Sequence, residues 1–206
     1  MLKTEPPTAS SIGSQYTSSN KWSDPDFSGT ATLTDGFTTQ GFENNLASGS
    51  YYFARLPAQY PNAGIFDSQD TMPEWREPKQ GGAGTCYIMS AMGGVGEFPQ
   101  LIKDAFVTDS FNDAGIIEMK LYIRGKPWLV TIDDEFLFQY PGYATKYLVF
   151  AQPDNDTSVL WAPILEKAWA KVKGSYATAN GGFVVSGIGT ITGAPVFQFD
   201  AQNVVQ

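Results

Sequence analysis

Gln80-Gly-Gly-Ala-Gly-Thr-Cys86-Tyr-Ile-Met-Ser-Ala-Met92 decides how the rest of this chain is read. Its two halves differ in character. Gln80 to Thr85 is small and glycine-rich, whereas Tyr87 to Met92 is apolar and helix-compatible, with Gly93-Gly94 as a stop signal. The pattern predicts a flexible loop that becomes a helix at Cys86, the single cysteine of the chain. A thiol placed there faces the unpaired N–H groups and positive end of the helix dipole, which favours the thiolate, the nucleophilic form. Six residues upstream, Gln80 carries an amide able to donate to a developing oxyanion beside the Cys86 N–H. A lone cysteine is more often a small buried hydrophobe. On spacing alone Cys86 and Gln80 are therefore candidates and no more.

Downstream, Phe98, Leu101, Ile102 and Ala105 recur at i, i+3, i+4, i+7, predicting a short helix over Glu97–Ala105 with one apolar face. Ile117, Met119, Leu121 and Ile123 alternate with Glu118, Lys120 and Tyr122, the period of a half-buried strand. Arg124-Gly-Lys-Pro127 reads as a turn, and Trp128 to Phe138 as the return strand of a hairpin. Asp133 and Asp134 are adjacent on that strand and point to opposite faces, so they are read as structural and not as a metal or acid/base pair. Tyr147–Phe150 reads as a short strand, and Pro153–Ser158 as a polar loop rich in N-caps. The next helix sets Leu160, Trp161, Ile164, Leu165, Ala168, Trp169 and Val172 on one stripe. Pro163 lies in its first turn and Gly174 ends it. Its tryptophans read as core anchors, with Trp161 as the wall of a groove the alternative. Beyond residue 177, Phe183–Gly187 and Thr190–Gly193 read as two short strands or turns.

Upstream, residues 1–50 are rich in Ser, Thr, Gly, Asn and Pro without lasting periodicity. Ser23–Phe27 reads as a turn. Trp22, Phe27, Phe37 and Phe42 are too aromatic for a linker, so the region reads as an irregular arm docking on a core or partner, against a disordered tail. Tyr51–Leu56 is a candidate strand, and Pro57, Pro61, Pro73 and Pro78 then interrupt regular structure.

Composition excludes several classes. At 206 residues, 42% hydrophobic, the chain is sized for one folded domain or slightly more. Twenty-one acidic against 13 basic residues leave a net charge of −8, which argues against nucleic acid or an anionic membrane as partner. No apolar run approaches the ~20 residues of a membrane span, so no membrane insertion is expected. No secretory leader is apparent and one cysteine cannot form an internal disulfide framework, so a reducing, cytoplasmic location is expected. The chain has no histidine.

Gln80, Gly81, Gly84 and Cys86 resemble the Q-G-x-x-G-x-C-W nucleophile segment of the calpain family of papain-like cysteine proteases, with Tyr87 in place of the tryptophan. Ala114-Gly115-Ile116 is similar to that family's Y-A-G-I-F segment, and Trp128, Val130, Ile132, Asp133 and Asp134 to its W-V-x-V-x-V-D-D strand. Leu160 to Val172 resembles the F-W-x-x-L-L-E-K-A-Y-A-K helix, followed by Gly174-Ser175-Tyr176 and Gly181-Gly182. These motifs run in order from Gln80 to about Gly193. The resemblance implies an α+β fold: a papain/calpain-like first subdomain made of a nucleophile helix, a β-hairpin and a long amphipathic helix. The irregular arm would cover 1–50, the subdomain 51–180, and the start of a second subdomain or a tail 181–206.

It further implies Cys86 as nucleophile and Gln80 as oxyanion donor, with a protein or peptide substrate. A papain-type peptidase also needs a histidine to accept and return the proton. In the family this comes from the second subdomain, so a calpain-like core fragment supplying Cys86 and Gln80 is not expected to act alone. The chain is then part of a longer protease, or is completed by a second chain, or is a catalytically inactive structural or interaction subunit of an assembly. In that last reading the exposed groove face, Trp161 included, is the interface. The family also holds calcium near this loop. Glu77 stands where it has one acidic ligand, but Val159 stands where it has the second, so no metal is expected at the site.

Overall fold

The protein is mixed α+β, built around one buried helix. The structure is a computed structural model that describes residues 6–33, 47–67, 72–140, 147–153 and 159–199. In chain order the elements are α1 (Ala9–Gly13), a 3-10 turn (Gly29–Thr32), β1 (Tyr51–Arg55), α2 (Leu56–Gln59), α3 (Cys86–Gly96), α4 (Pro99–Lys103), β2 (Ile116–Ile123), β3 (Lys126–Asp133), β4 (Glu135–Gln139), β5 (Tyr147–Leu148), α5 (Trp161–Lys173) and α6 (Val184–Thr192). Phe37, Phe42 and the N-cap loop 154–158 lie outside the described residues.

The central helix is α5. Its periodicity predicts a single apolar stripe, but every residue from Trp161 to Val172 is buried. An all-round buried helix belongs in a core, and its charged positions are tolerated because each has a partner. Lys167 donates to Asp133 at 2.5 Å and to the Glu135 carbonyl at 2.6 Å. Lys171 donates to Asp24 at 2.6 Å and to the Thr131 carbonyl at 2.7 Å. Gly174 closes the helix at φ 109°, its N–H donating to Ala170 O at 2.8 Å.

Two small antiparallel sheets flank this helix. One pairs β2 with β3, with Ile117 opposite Ile132 and Met119 opposite Val130. The other has the order β1-β4-β5. Trp128–Phe138 is therefore not one return strand. It breaks at Asp134, and the two halves enter different sheets. The aspartates explain the break: Asp133 is held by Lys167 and by the Asp24 N–H at 2.7 Å, Asp134 by Arg55 at 2.7 Å. Glu118, expected on a solvent face of β2, is buried because its carboxylate accepts the Ala9 N–H at 2.5 Å.

Three helical expectations change. α3 runs through Gly93-Gly94 to Gly96, because burial of Met92 and Val95 on either side outweighs a cost of about 1 kcal/mol per internal glycine. α4 is shorter than Glu97–Ala105, and only part of its apolar face is covered: Ile102 and Ala105 are buried, while Phe98 and Leu101 are exposed. Phe183–Gly193, read as strands or turns, holds the helix α6. It packs on α3, where Gly187 is so close that an added Cβ would lie 2.6 Å from Ala91. That packing overrides the β-propensity of its Val and Ile residues.

Residues 6–33 lie on the core. Trp22 and Phe27 are buried, Trp22 N donates to Ala114 O at 2.8 Å, and Arg55 bonds both Trp22 O and Asp134. Among the described residues no helix is long and apolar enough to cross a membrane.

Candidate active site

Cys86 is the first residue of α3 and is exposed, so it is not the buried hydrophobe that a lone cysteine usually is. The loop before it is pinned on two sides. Gly82 N donates to Val149 O at 2.7 Å, Gln152 N donates to Lys79 O at 2.9 Å, and Gly181 N donates to Gly84 O at 2.9 Å. Its glycines serve close approach, not flexibility. A Cβ on Gly81 would sit 1.7 Å from the Phe150 carbonyl oxygen, and one on Gly84 would meet Asn180 Oδ1 at 1.8 Å. The sequence suggests a loose loop; the tertiary structure clamps it between the segment 149–152 that follows β5 and the turn after α5.

Gln80 is exposed, and its Nε2 donates to Ala83 O at 2.9 Å. That bond fixes the amide against the loop backbone and uses one of its two N–H groups. Tyr87, which stands where the family has tryptophan, is buried. Its hydroxyl donates to Ala179 O at 2.8 Å and accepts from Trp169 Nε1 at 2.7 Å. Burial first, then the charges of Glu166 and Cys86, raise the Tyr87 phenol above its ordinary range, against the Trp169 bond.

Two anchors of the loop were not read from the sequence. Thr85, directly before Cys86, is buried and donates to Glu166 Oε1 at 2.5 Å. The other carboxyl oxygen of Glu166 accepts the Ala151 N–H at 2.7 Å. Burial pushes Glu166 up to about 7, in spite of those two bonds. The available signal was a glutamate set among Ile164, Leu165, Ala168 and Trp169 on a helix with few polar neighbours.

Trp161 is fully buried and so is neither a groove wall nor an exposed interface. Its indole N–H donates to Glu77 Oε2, which also accepts the Glu74 N–H at 2.7 Å. Burial raises the Glu77 carboxyl, partly offset by those bonds. A calcium ion takes six to eight oxygens, several of them charged. Here Glu77 is bonded to an indole, Val159 offers no side-chain oxygen, and no group of three or more His, Cys, Asp or Glu is gathered among the described residues. This donor set does not fit calcium.

An exposed thiol at a helix N-terminus, with an amide beside its loop, is the chemical setting of a cysteine nucleophile. Residues 65–206 match the sequence profile described as calpain family cysteine protease, and the chain belongs to that family. It is 32% identical over 127 residues to the calpain-type cysteine protease DEK1 of Zea mays, which covers 60% of this chain and 6% of that protein. It is 29% identical over 127 residues to calpain-13 of Rattus norvegicus, covering 61% and 18% respectively. The chain thus spans less than a fifth of the length of these relatives.

Proposed function

We propose that this chain is the nucleophile-bearing wall of a papain-type endopeptidase site, with Cys86 as nucleophile and Gln80, with the Cys86 N–H, as oxyanion donor. The observation that carries it is the exposed thiol at the start of α3, reached through a loop clamped on both sides. Attack by the thiolate on a peptide carbonyl forms a C–S bond and an oxyanion, which the Gln80 amide and backbone N–H stabilise. Expelling the amine needs a proton donor, worth ~10²–10⁴-fold in rate. The chain has no histidine, so the acid/base comes from outside these 206 residues, from further chain or from a partner. A reducing cytoplasmic setting fits a free thiol.

A second reading rests on the same absence: a calpain-like subunit that binds protein partners without hydrolysis. An activated peptide ester separates the two, because p-nitrophenolate leaves without a proton donor. The catalytic reading expects one p-nitrophenolate released per chain, an acyl adduct on Cys86 by mass, and loss of both in Cys86→Ala. Absence of the burst favours the subunit. Cleavage of casein by the 206-residue chain alone would refute the argument from the missing base.

A further inference from the structure

Among the described residues Glu166 is a buried carboxyl group hydrogen-bonded to the thiol loop, and nothing in the chemistry above uses it. It touches that loop on two sides, directly through Thr85 Oγ1 at 2.5 Å and through Ala151 N, two residues beyond the Val149 carbonyl that accepts Gly82 N in the segment after β5. Thr85 in turn holds α3: Ile88 N and Met89 N donate to its carbonyl at 2.9 and 3.1 Å. Its hydroxyl also lies 3.5 Å from Ala83 O, the carbonyl that accepts the Gln80 amide. A connected path therefore runs from Glu166 through Thr85 and Ala83 O to Gln80.

We propose that Glu166 is a positioning residue for the thiol site, setting through Thr85 both the turn that presents Cys86 and the carbonyl that holds Gln80. The assignment rests on the reading of Cys86 and Gln80 given above. As a carboxylate, Glu166 accepts from both Thr85 and Ala151. Once protonated, it keeps one oxygen for the Ala151 N–H and gives its own O–H to Thr85 Oγ1. The Thr85 proton then turns to Ala83 O and shares that acceptor with Gln80.

The groups facing Glu166 do not neutralise it. On α3 the Tyr87 phenol feels its charge, and in the turn after α5 so does the Tyr176 phenol, which also feels Asp133. The segment after β5 contributes the Ala151 N–H. On α5 its neighbour Lys167 is bonded to Asp133, and among the described residues no cation pairs with Glu166. Its titration near 7 thus follows from burial, and the switch of hydrogen bonds falls in the neutral range.

The test is the rate of Cys86 alkylation by iodoacetamide from pH 5 to 9 in the whole chain. Wild type is expected to show the ionisation of the thiol and a second inflection near pH 7. The step should be about fivefold, the rate equivalent of one net hydrogen bond. Thr85→Ser keeps the hydroxyl and the second inflection; Thr85→Val loses it. Glu166→Gln, which mimics the protonated form, also loses it. A single inflection in wild type, or a profile unchanged in Glu166→Gln, overturns the assignment. If Thr85→Val does not fold, wild type and Glu166→Gln decide the matter. Slow alkylation with the second inflection intact overturns Cys86 as an activated nucleophile while supporting Glu166 as a positioning residue.

Discussion

Replacing Asp24 by Ala should be among the most destabilising single changes in this protein. Asp24 is 1% exposed and lies in the stretch before β1, far in sequence from the helix it meets. Its carboxylate accepts Lys171 Nζ at 2.6 Å, and its N–H donates to Asp133, which pairs with Lys167 at 2.5 Å. Removing the carboxylate leaves Lys171, 3% exposed, with the Thr131 carbonyl as its described partner. Breaking a buried pair on one side costs about 3–5 kcal/mol, because a charge stays buried and uncompensated. Against a total of roughly 5–15 kcal/mol for a domain, that is a large fraction. At about 2–4 °C per kcal/mol for a chain of this size, Tm should fall by about 10 °C. Urea unfolding followed by the fluorescence of buried Trp161 and Trp169 reads this directly. The double variant Asp24→Leu with Lys171→Met removes both charges and should recover most of the loss. A shift equivalent to under about 1 kcal/mol in Asp24→Ala, or a double variant worse than the single, would refute the reasoning.

Gly81→Ala and Gly84→Ala should part company in stability. The first drives a Cβ into a backbone carbonyl and should cost about 1–3 kcal/mol or more. The second meets the end of the exposed Asn180 side chain, which can rotate away, so a smaller loss is expected by the same denaturation assay. Stability should also fall as pH rises through the Glu166 window. The carboxyl titrates from 4.5 unfolded to about 7 folded, so the unfolded chain loses its proton first and unfolding is favoured between those values. The full difference, on the order of 3 kcal/mol, is reached above pH 7, and Asp24 and Glu77, also raised by burial, act with the same sign. Urea midpoints across pH 4.5–8 should flatten in Glu166→Gln; a wild-type stability rising over this range would count against it. Calcium at millimolar concentration should leave Tm unchanged in wild type, and a stabilisation abolished by Glu77→Ala would show that the donor set had been misjudged.

The division between what was legible in the sequence and what was not follows the range of the interactions. Local spacing along the chain sufficed for the start of α3 at Cys86, the existence of β2 as a strand, and a helix with Pro163 in its first turn and Gly174 at its end. The ordered motifs from Gln80 onward likewise sufficed for the family. Each of those signals is carried by residues within a turn or two of one another. Tertiary structure alone decided that Lys167, Lys171 and Glu166 lie inside, because their partners Asp133, Asp24 and Thr85 are 34, 147 and 81 residues away. The same holds for the break at Asp134 between two sheets and for the helix Val184–Thr192, where the sequence reads as short strands or turns. The glycines around Cys86 show the limit most plainly. Composition marks Gly81 and Gly84 as freedom, but the Phe150 carbonyl and Asn180, brought in from 69 and 96 residues downstream, make them the places where nothing larger fits.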